Sequence, residues 1–412
     1  MRVSAAMAMI DLLVTCRRLG AAMLLAAAAM TPAQAQTVAA FVNGEPITAL
    51  DIEQRAKLIE LSTHQTPSRQ KVLDELIDEK LKIREAKRWG LEISAADVDA
   101  AAAVVAPFAV RTPLLSAPVL NERIGTKVFL KPEMLQRTGS FKFRGAFNKL
   151  SSIPRENRGG GVVAFSSGNH AQGVAAAAKI LNMQATIVMP ADAPLSKRER
   201  TKSYGAEVVL YDRDREDREA IAREIAEKRG ATLVKPYDDP FVIAGQGTAG
   251  REIVEDMAAL GVAPDIVVAP ASGGGLIAGV ATAVKARFPS VEVIVAEPEA
   301  FDDHTRSLRA GKRERHHGKG RTICDALMAA IPGELTFAIN SQLLSRGIVA
   351  SDAEVAAAVA FSFHQLKLVV EPGGAIGLAA LLAGRIDTKD KNVVVVLSGG
   401  NVDADLLARL VA

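Results

Sequence analysis

Lys142 stands in Ser140-Phe141-Lys142-Phe143-Arg144-Gly145-Ala146, and Ser166-Ser167-Gly168-Asn169-His170 follows downstream. A lysine between an aromatic residue and a Gly-Ala turn suits Schiff-base formation, because partial burial lowers an amine's pKa and frees its lone pair. The second segment brings two hydroxyls, an amide and a glycine to a strand-to-helix turn, where backbone N–H groups converge on anions. A lone lysine is most often a solvated surface residue; the two segments together point to chemistry. Ser272-Gly273-Gly274-Gly275-Leu276 follows the apolar run 266–270 and precedes a helical pattern over 276–285. Its N–H groups and the helix dipole suit a phosphate, although a Gly-Gly-Gly turn alone is often a plain strand–helix connection. Ser398 opens a further turn, where an isolated serine is commonly a helix cap. Glu297 and Asp303 place carboxylates six residues apart around Phe301, a pattern open to either a solvated acidic turn or a hard cation.

These turns need a frame. Beyond residue 104, short apolar runs at 162–165, 185–189, 207–210, 266–269, 293–296 and 393–397 alternate with helical segments such as 170–181 and 217–229. The pattern predicts an α/β fold with buried parallel strands, doubly wound, with ligand loops at the carboxyl ends of strands.

On the segment around Lys142, the Ser166–His170 segment, the Ser272–Leu276 turn and Leu397-Ser398-Gly399-Gly400-Asn401, residues 96–412 resemble a known family. It is the pyridoxal-phosphate enzymes of fold type II (tryptophan synthase β-like), and within them the serine/threonine dehydratases, or threonine ammonia-lyases. The resemblance implies two doubly wound open-sheet domains, a small one near 164–240 and a large one from 96–163 plus 241–412, with the cofactor between them. It implies that Lys142 holds pyridoxal 5'-phosphate and acts as the base at Cα, with Phe141 packed near the ring. Asn169 would contact the ring hydroxyl, Ser272, Gly273, Gly274, Gly275 and Leu276 the phosphate, and Ser398 the pyridine nitrogen. A hydroxyl there, unlike a carboxylate, does not keep that nitrogen protonated, which favours β-elimination over transamination. Ser166, Ser167, Gly168, Asn169 and His170 would hold the substrate carboxylate. Ser167 also matches the opposite-face acid/base of serine racemases, with a merely structural role as the equal alternative. Glu297, Asp303 and the Phe301 carbonyl would bind Mg2+ or Ca2+.

The implied reaction is deamination of L-threonine or L-serine to 2-oxobutanoate or pyruvate plus ammonia. Serine racemase and hydroxyaspartate ammonia-lyase share the motifs. Ser272 stands where many relatives have glycine, and Ala326 where relatives usually have the glycine of Ala-Asp-Gly. The chain ends soon after Asn401, so a catabolic type without a regulatory domain is expected, and the family is usually a homo-oligomer.

Composition sets outer bounds. Hydrophobic residues make up 49% of the 412 and aromatics 4%, so Ala, Val, Leu and Ile must build the core. A net charge of +3 gives no polyelectrolyte character for nucleic acid, and the basic run 306–321 lacks interleaved aromatics. Cys16 and Cys324 cannot form a disulfide framework. Arg17 and Arg18, the apolar run 19–30 and Ala33-Gln34-Ala35 read as a signal peptide over 1–35, too short for a stable membrane span. Residues 36–95 change subject: a hairpin with an Asn43-Gly44 turn, a helix capped by Thr48 near Asp51, and apolar residues at helical spacing over 73–81. This stretch resembles the truncated opening of the N-terminal domain of SurA-type periplasmic chaperones, a small, mostly helical extension. With no Gly/Ser/Pro linker at 93–101, the chain reads as a gene fusion. The leader points to the periplasm and the catalytic family to the cytoplasm. From another class, a periplasmic binding or chaperone protein with an inert dehydratase-like body is the alternative; intact Lys142, Asn169 and Ser398 weigh against it.

Overall fold

The computed structural model describes residues 37–42, 45–63, 66–74, 76–77, 93–316 and 320–412. The signal-like segment and the Asn43-Gly44 turn lie outside them. The chain divides into two compact units, 1–81 and 82–412.

In the first unit, β1 (Val38–Val42) and β2 (Glu45–Thr48) pair antiparallel and lead into α1 (Ala49–Thr63). The Thr48 N–H donates to Asp51 Oδ2 at 2.7 Å and the Asp51 N–H donates to Thr48 Oγ1 at 3.2 Å. This reciprocal capping box starts the helix at Ala49, two residues before the expected start. Ile47, Ile52 and Val72 form its small apolar cluster.

The first described element of the second unit is α2 (Ala95–Val105), whose N-cap Ser94 forms a capping box with Asp97. The order continues β3 (Leu115–Ser116), α3 (Pro118–Ile124), β4 (Val128–Pro132), α4 (Lys142–Ser151), β5 (Val162–Phe165), α5 (Asn169–Ile180), β6 (Ala185–Pro190), α6 (Leu195–Ser203) and β7 (Glu207–Tyr211). It goes on through α7 (Arg218–Arg229), β8 (Thr232–Val234), α8 (Pro240–Ala259), β9 (Ile266–Pro270), α9 (Gly275–Arg287), β10 (Glu292–Pro298) and α10 (Asp303–Ala310). The last elements are α11 (Glu334–Leu343), β11 (Arg346–Ala350), α12 (Asp352–Phe361), α13 (Pro372–Leu382), β12 (Val393–Leu397) and α14 (Ala404–Val411).

Two sheets result. The larger has the order β11-β10-β9-β12-β4-β3, parallel except for the edge pair β3–β4; the smaller is parallel, β7-β6-β5-β8. Both bury two faces, which explains the continuous apolar runs. The exception is β7, expected to be buried, where Glu207 and Leu210 are exposed because it is the outermost strand of its sheet and pairs on one side, with β6. Along β12, Val393, Val395 and Leu397 join the core beneath α12 and α13, while Val394 and Val396 join the core beneath α8 and α9. Along β5, Val162 and Ala164 face α4 and α5, and Val163 and Phe165 face α7. With alternate side chains filling opposite cores, only the strand ends are free to carry ligands. Helices α4 and α8 cross at glycine: a Cβ on Gly245 would lie 2.6 Å from the Gly145 Cα. That close approach anchors the helix that begins with Lys142.

Candidate active site

One cleft gathers the loops after β5, β8, β9 and β12, all at carboxyl ends of strands. It encloses about 160 Å³ and is lined by Phe141, Lys142, Ser166 to His170, Tyr237, Ser272 to Leu276, Glu371 and Ser398, among others. The sequence-selected residues other than Glu297, Phe301 and Asp303 thus line one cleft, from segments as far apart as Phe141 and Ser398.

Lys142 is the first residue of α4, and its start is pinned by the loop after β12. The Phe141 N–H donates to Ser398 O at 3.1 Å, and Ser140 forms an antiparallel bridge with Gly399. The Lys142 amine donates to Pro236 O at 2.7 Å and lies 5.0 Å from the Phe141 ring centroid. Burial lowers its pKa to about 8, so a lone pair is within reach near neutral pH.

The Ser166–Gly168 turn caps α5. The Gly168 N–H donates to Ser166 Oγ at 3.2 Å, and Ser167 is half-buried at the cleft wall. Asn169 is fixed from two sides: its Nδ2 donates to Glu371 Oε1 at 2.6 Å, and its Oδ1 accepts from Asn401 Nδ2 at 2.7 Å. The His170 ring is buried with Nε2 3.1 Å from Val234 O. Burial, and then the Lys142 charge, lower its pKa to about 3, so the ring is neutral and lends no charge to a bound carboxylate.

At the head of α9 the turn is bare backbone for physical reasons. A Cβ on Gly273 would lie 2.3 Å from the Tyr237 ring, and one on Gly274, at φ +93°, would lie 2.4 Å from His304 Nε2. Gly275 opens the helix, and buried Leu276 lines the same wall. Ser272 Oγ accepts from the Ala329 N–H at 3.2 Å, so its hydroxyl is tied to the 325–329 segment.

Glu297 is the penultimate residue of β10 and is buried. Its Oε1 accepts from the His304 N–H at 2.9 Å, and its Oε2 accepts from the Thr305 N–H at 2.8 Å. Asp303 is buried beside it, and burial, then the Glu297 charge, raise its pKa. Phe301 closes the intervening 3-10 turn with its ring 4.9 Å from that of His316.

Sequence reasoning passed over three features. Glu371 is buried in the cleft, and burial, then the Asp325 charge, raise its pKa to about 7. Lys197 pairs with Asp325 beneath the Ser166–His170 turn, where a Cβ on Gly168 would lie 3.3 Å from Lys197 Cδ. Buried Arg144 binds Glu133 at 2.8 Å and Glu252 at 2.7 Å, and Lys131 joins Glu252 at 2.6 Å. The signals were faint: Glu371 precedes Pro372-Gly373-Gly374 like any helix-opening residue, and Arg144 read as part of the lysine motif.

Comparison with known proteins supplies the family. The model for pyridoxal-phosphate dependent enzymes matches residues 105–399. The L-threonine ammonia-lyase of Thermotoga maritima is 45% identical over 303 residues, 73% of this chain and 74% of that protein. The L-threo-3-hydroxyaspartate ammonia-lyase of a Pseudomonas species is 45% identical over 314 residues, 76% of this chain and 97% of that protein. Among solved structures, maize serine racemase superposes with a TM-score of 0.73 at 38% identity, covering 77% of this chain and 96% of that one. Its fold, its cleft and these likenesses agree: the chain belongs to the pyridoxal-phosphate-dependent enzymes of fold type II, with threonine ammonia-lyases among its homologues.

Proposed function

We propose that the chain is a serine/threonine ammonia-lyase, releasing ammonia from L-threonine or L-serine to give 2-oxobutanoate or pyruvate. The observation that carries this reading is the convergence of Lys142, Asn169, the Gly273–Gly275 turn and Ser398 on one cleft. The residues fit pyridoxal phosphate. The lysine amine has its pKa lowered by burial, the turn presents backbone where a Cβ on Gly273 or Gly274 would collide, and Ser398 is a buried hydroxyl lining the cleft. Lys142 and Phe141 would hold the ring's reactive side, Asn169 its hydroxyl edge, Ser272 to Leu276 the phosphate, and Ser398 the pyridine nitrogen.

Bound pyridoxal phosphate supplies the electron sink for negative charge at the substrate Cα. The protein's part is position and proton transfer. Ser166, Ser167, Gly168 and His170 form the substrate turn, whose backbone at the head of α5 suits a carboxylate. Lys142 would hold the cofactor through its amine and would serve as the base for the Cα proton; the same burial that lowers its pKa keeps water from that amine. Glu297, Asp303 and the Phe301 carbonyl would hold a divalent cation that braces the start of α10.

The test is oxoacid release by the full chain and by Lys142→Ala, with pyridoxal phosphate and threonine or serine. A positioned general base contributes roughly 10²- to 10⁴-fold, so the variant should lose at least that much. Near-normal turnover in the variant would sink the assignment. D-serine formation without oxoacid would move it to the racemases.

A further inference from the structure

Glu297, Asp303 and His304 bring three ligand atoms within 4.8 Å of one another. His304 Nδ1 lies 3.5 Å from Glu297 Oε1 and 3.7 Å from Asp303 Oδ2. The imidazole is 0% exposed and the Asp303 side chain 2%. Neither Nδ1 nor Oδ2 has a hydrogen-bond partner among the described residues. Two buried polar atoms therefore point into one space without satisfying each other. A tetrahedral ion bonded at about 2.1 Å holds its ligand atoms about 3.4 Å apart, close to the two spacings from His304 Nδ1 to the carboxylates.

We propose that this cluster is a mixed nitrogen–oxygen cation site in which His304 Nδ1 is a ligand, so that it takes Zn2+ or Co2+ in preference to Mg2+ or Ca2+. An all-oxygen set of two carboxylates and a carbonyl suits hard ions. An imidazole nitrogen shifts the preference toward borderline first-row metals. The resemblance implies the oxygen ligands of Glu297, Asp303 and Phe301 alone; His304 lies outside that set and brings a nitrogen to the same cluster.

The surroundings allow the required tautomer. To ligate through Nδ1, His304 must carry its proton on Nε2 and donate it to an acceptor. Nε2 lies 3.2 Å from Asn340 Nδ2, while Asn340 Oδ1 is buried without a partner among the described residues. Turning the amide over sets Oδ1 on the Nε2–H and gives up only a 3.4 Å contact from Nδ2 to Gly274 O. The Glu297 carboxylate is oriented by the His304 and Thr305 N–H groups. Because the His304 ring lies against Gly274, an ion that fixes the ring also steadies the turn at the head of α9. Cation binding here does not depend on the reaction at Lys142.

The experiment is calorimetric titration of the metal-stripped full chain and its His304→Ala variant with Zn2+, Co2+, Mg2+ and Ca2+. The wild type should bind Zn2+ and Co2+ more tightly than the hard ions, and His304→Ala should weaken Zn2+ and Co2+ by at least about tenfold. Mg2+ affinity should change less than about twofold, since a hard ion gains little from imidazole. Equal Zn2+ and Co2+ affinity in the two proteins would overturn the proposal. Pulsed EPR of the Co2+-loaded wild type decides the matter without a variant: coupling to an imidazole nitrogen supports His304 ligation, and its absence at a fully loaded site refutes it.

Discussion

Asn169 Nδ2 donates a 2.6 Å hydrogen bond to Glu371 Oε1, tying the first turn of α5 to the residue that precedes α13. Glu371 Oε2 has no hydrogen-bond partner among the described residues, and Gly399 lies so close that a Cβ there would fall 2.2 Å from Oε1. The carboxyl group is thus wedged between the turn that follows β5 and the turn that follows β12.

Burial, then the Asp325 charge, raise the Glu371 pKa from 4.5 to about 7. A carboxyl with a raised folded-state pKa adds stability below its unfolded pKa and loses it as pH rises through the folded value. The wild type should therefore lose thermal stability relative to Glu371→Gln between pH 4.5 and about 7. Melting temperatures of the two proteins across that range check it, and parallel curves would refute the shift. Glu371→Ala, which leaves the Asn169 amide without its acceptor, should weaken cofactor binding by about 1–3 kcal/mol, while the glutamine variant stays within about twofold.

The Schiff base proposed at Lys142 requires its free amine. With its pKa lowered to about 8 by burial, the rate of Schiff-base formation by cofactor-free protein should rise with pH and level off just above 8. Stopped-flow absorbance after mixing with pyridoxal phosphate reads this directly. A rate still climbing toward pH 10 would mean an amine in ordinary solvent.

Arg144 neutralises two carboxylates below the Lys142 turn, binding Glu133 and Glu252. Removing one partner of a buried ion pair strands the others, at about 3–5 kcal/mol. Arg144→Ala should lower the urea midpoint by a corresponding amount. An unchanged midpoint would show that water reaches the network.

Gly274 adopts φ +93° with His304 Nε2 at its back. Gly274→Ala adds backbone strain of about 1–3 kcal/mol and a collision. Its dissociation constant for pyridoxal phosphate should rise at least about tenfold, as read from fluorescence titration. Wild-type affinity would show that the phosphate is held elsewhere.

Much of this protein was legible in one dimension. The apolar runs of β5, β9 and β12 declared parallel strands because strands buried on both faces need no polar alternation. The Ser-Phe-Lys, Ser-Ser-Gly-Asn-His, triple-glycine and Ser-Gly-Gly-Asn motifs declared themselves because each is a contiguous turn whose chemistry is local. Asn401 stood in plain sight within the last motif, yet its bond to Asn169, 232 residues away, was not readable. The same holds for Glu371, the Lys197–Asp325 pair and the Arg144 network. A buried polar side chain announces nothing along the chain, since its identity there is decided by a partner that only the folded sheets bring within hydrogen-bond range. His304 is the sharpest case: beside Asp303 in sequence it reads as one more polar residue of an acidic turn. The packing of α10 against Asn340 and Gly274 is what turns its ring toward two carboxylates. Sequence determined which turns bring a lysine and bare backbone to the cleft, because those features depend on neighbours in the chain. Tertiary structure decided which distant charges and amides hold those turns in place, because that depends on neighbours in space.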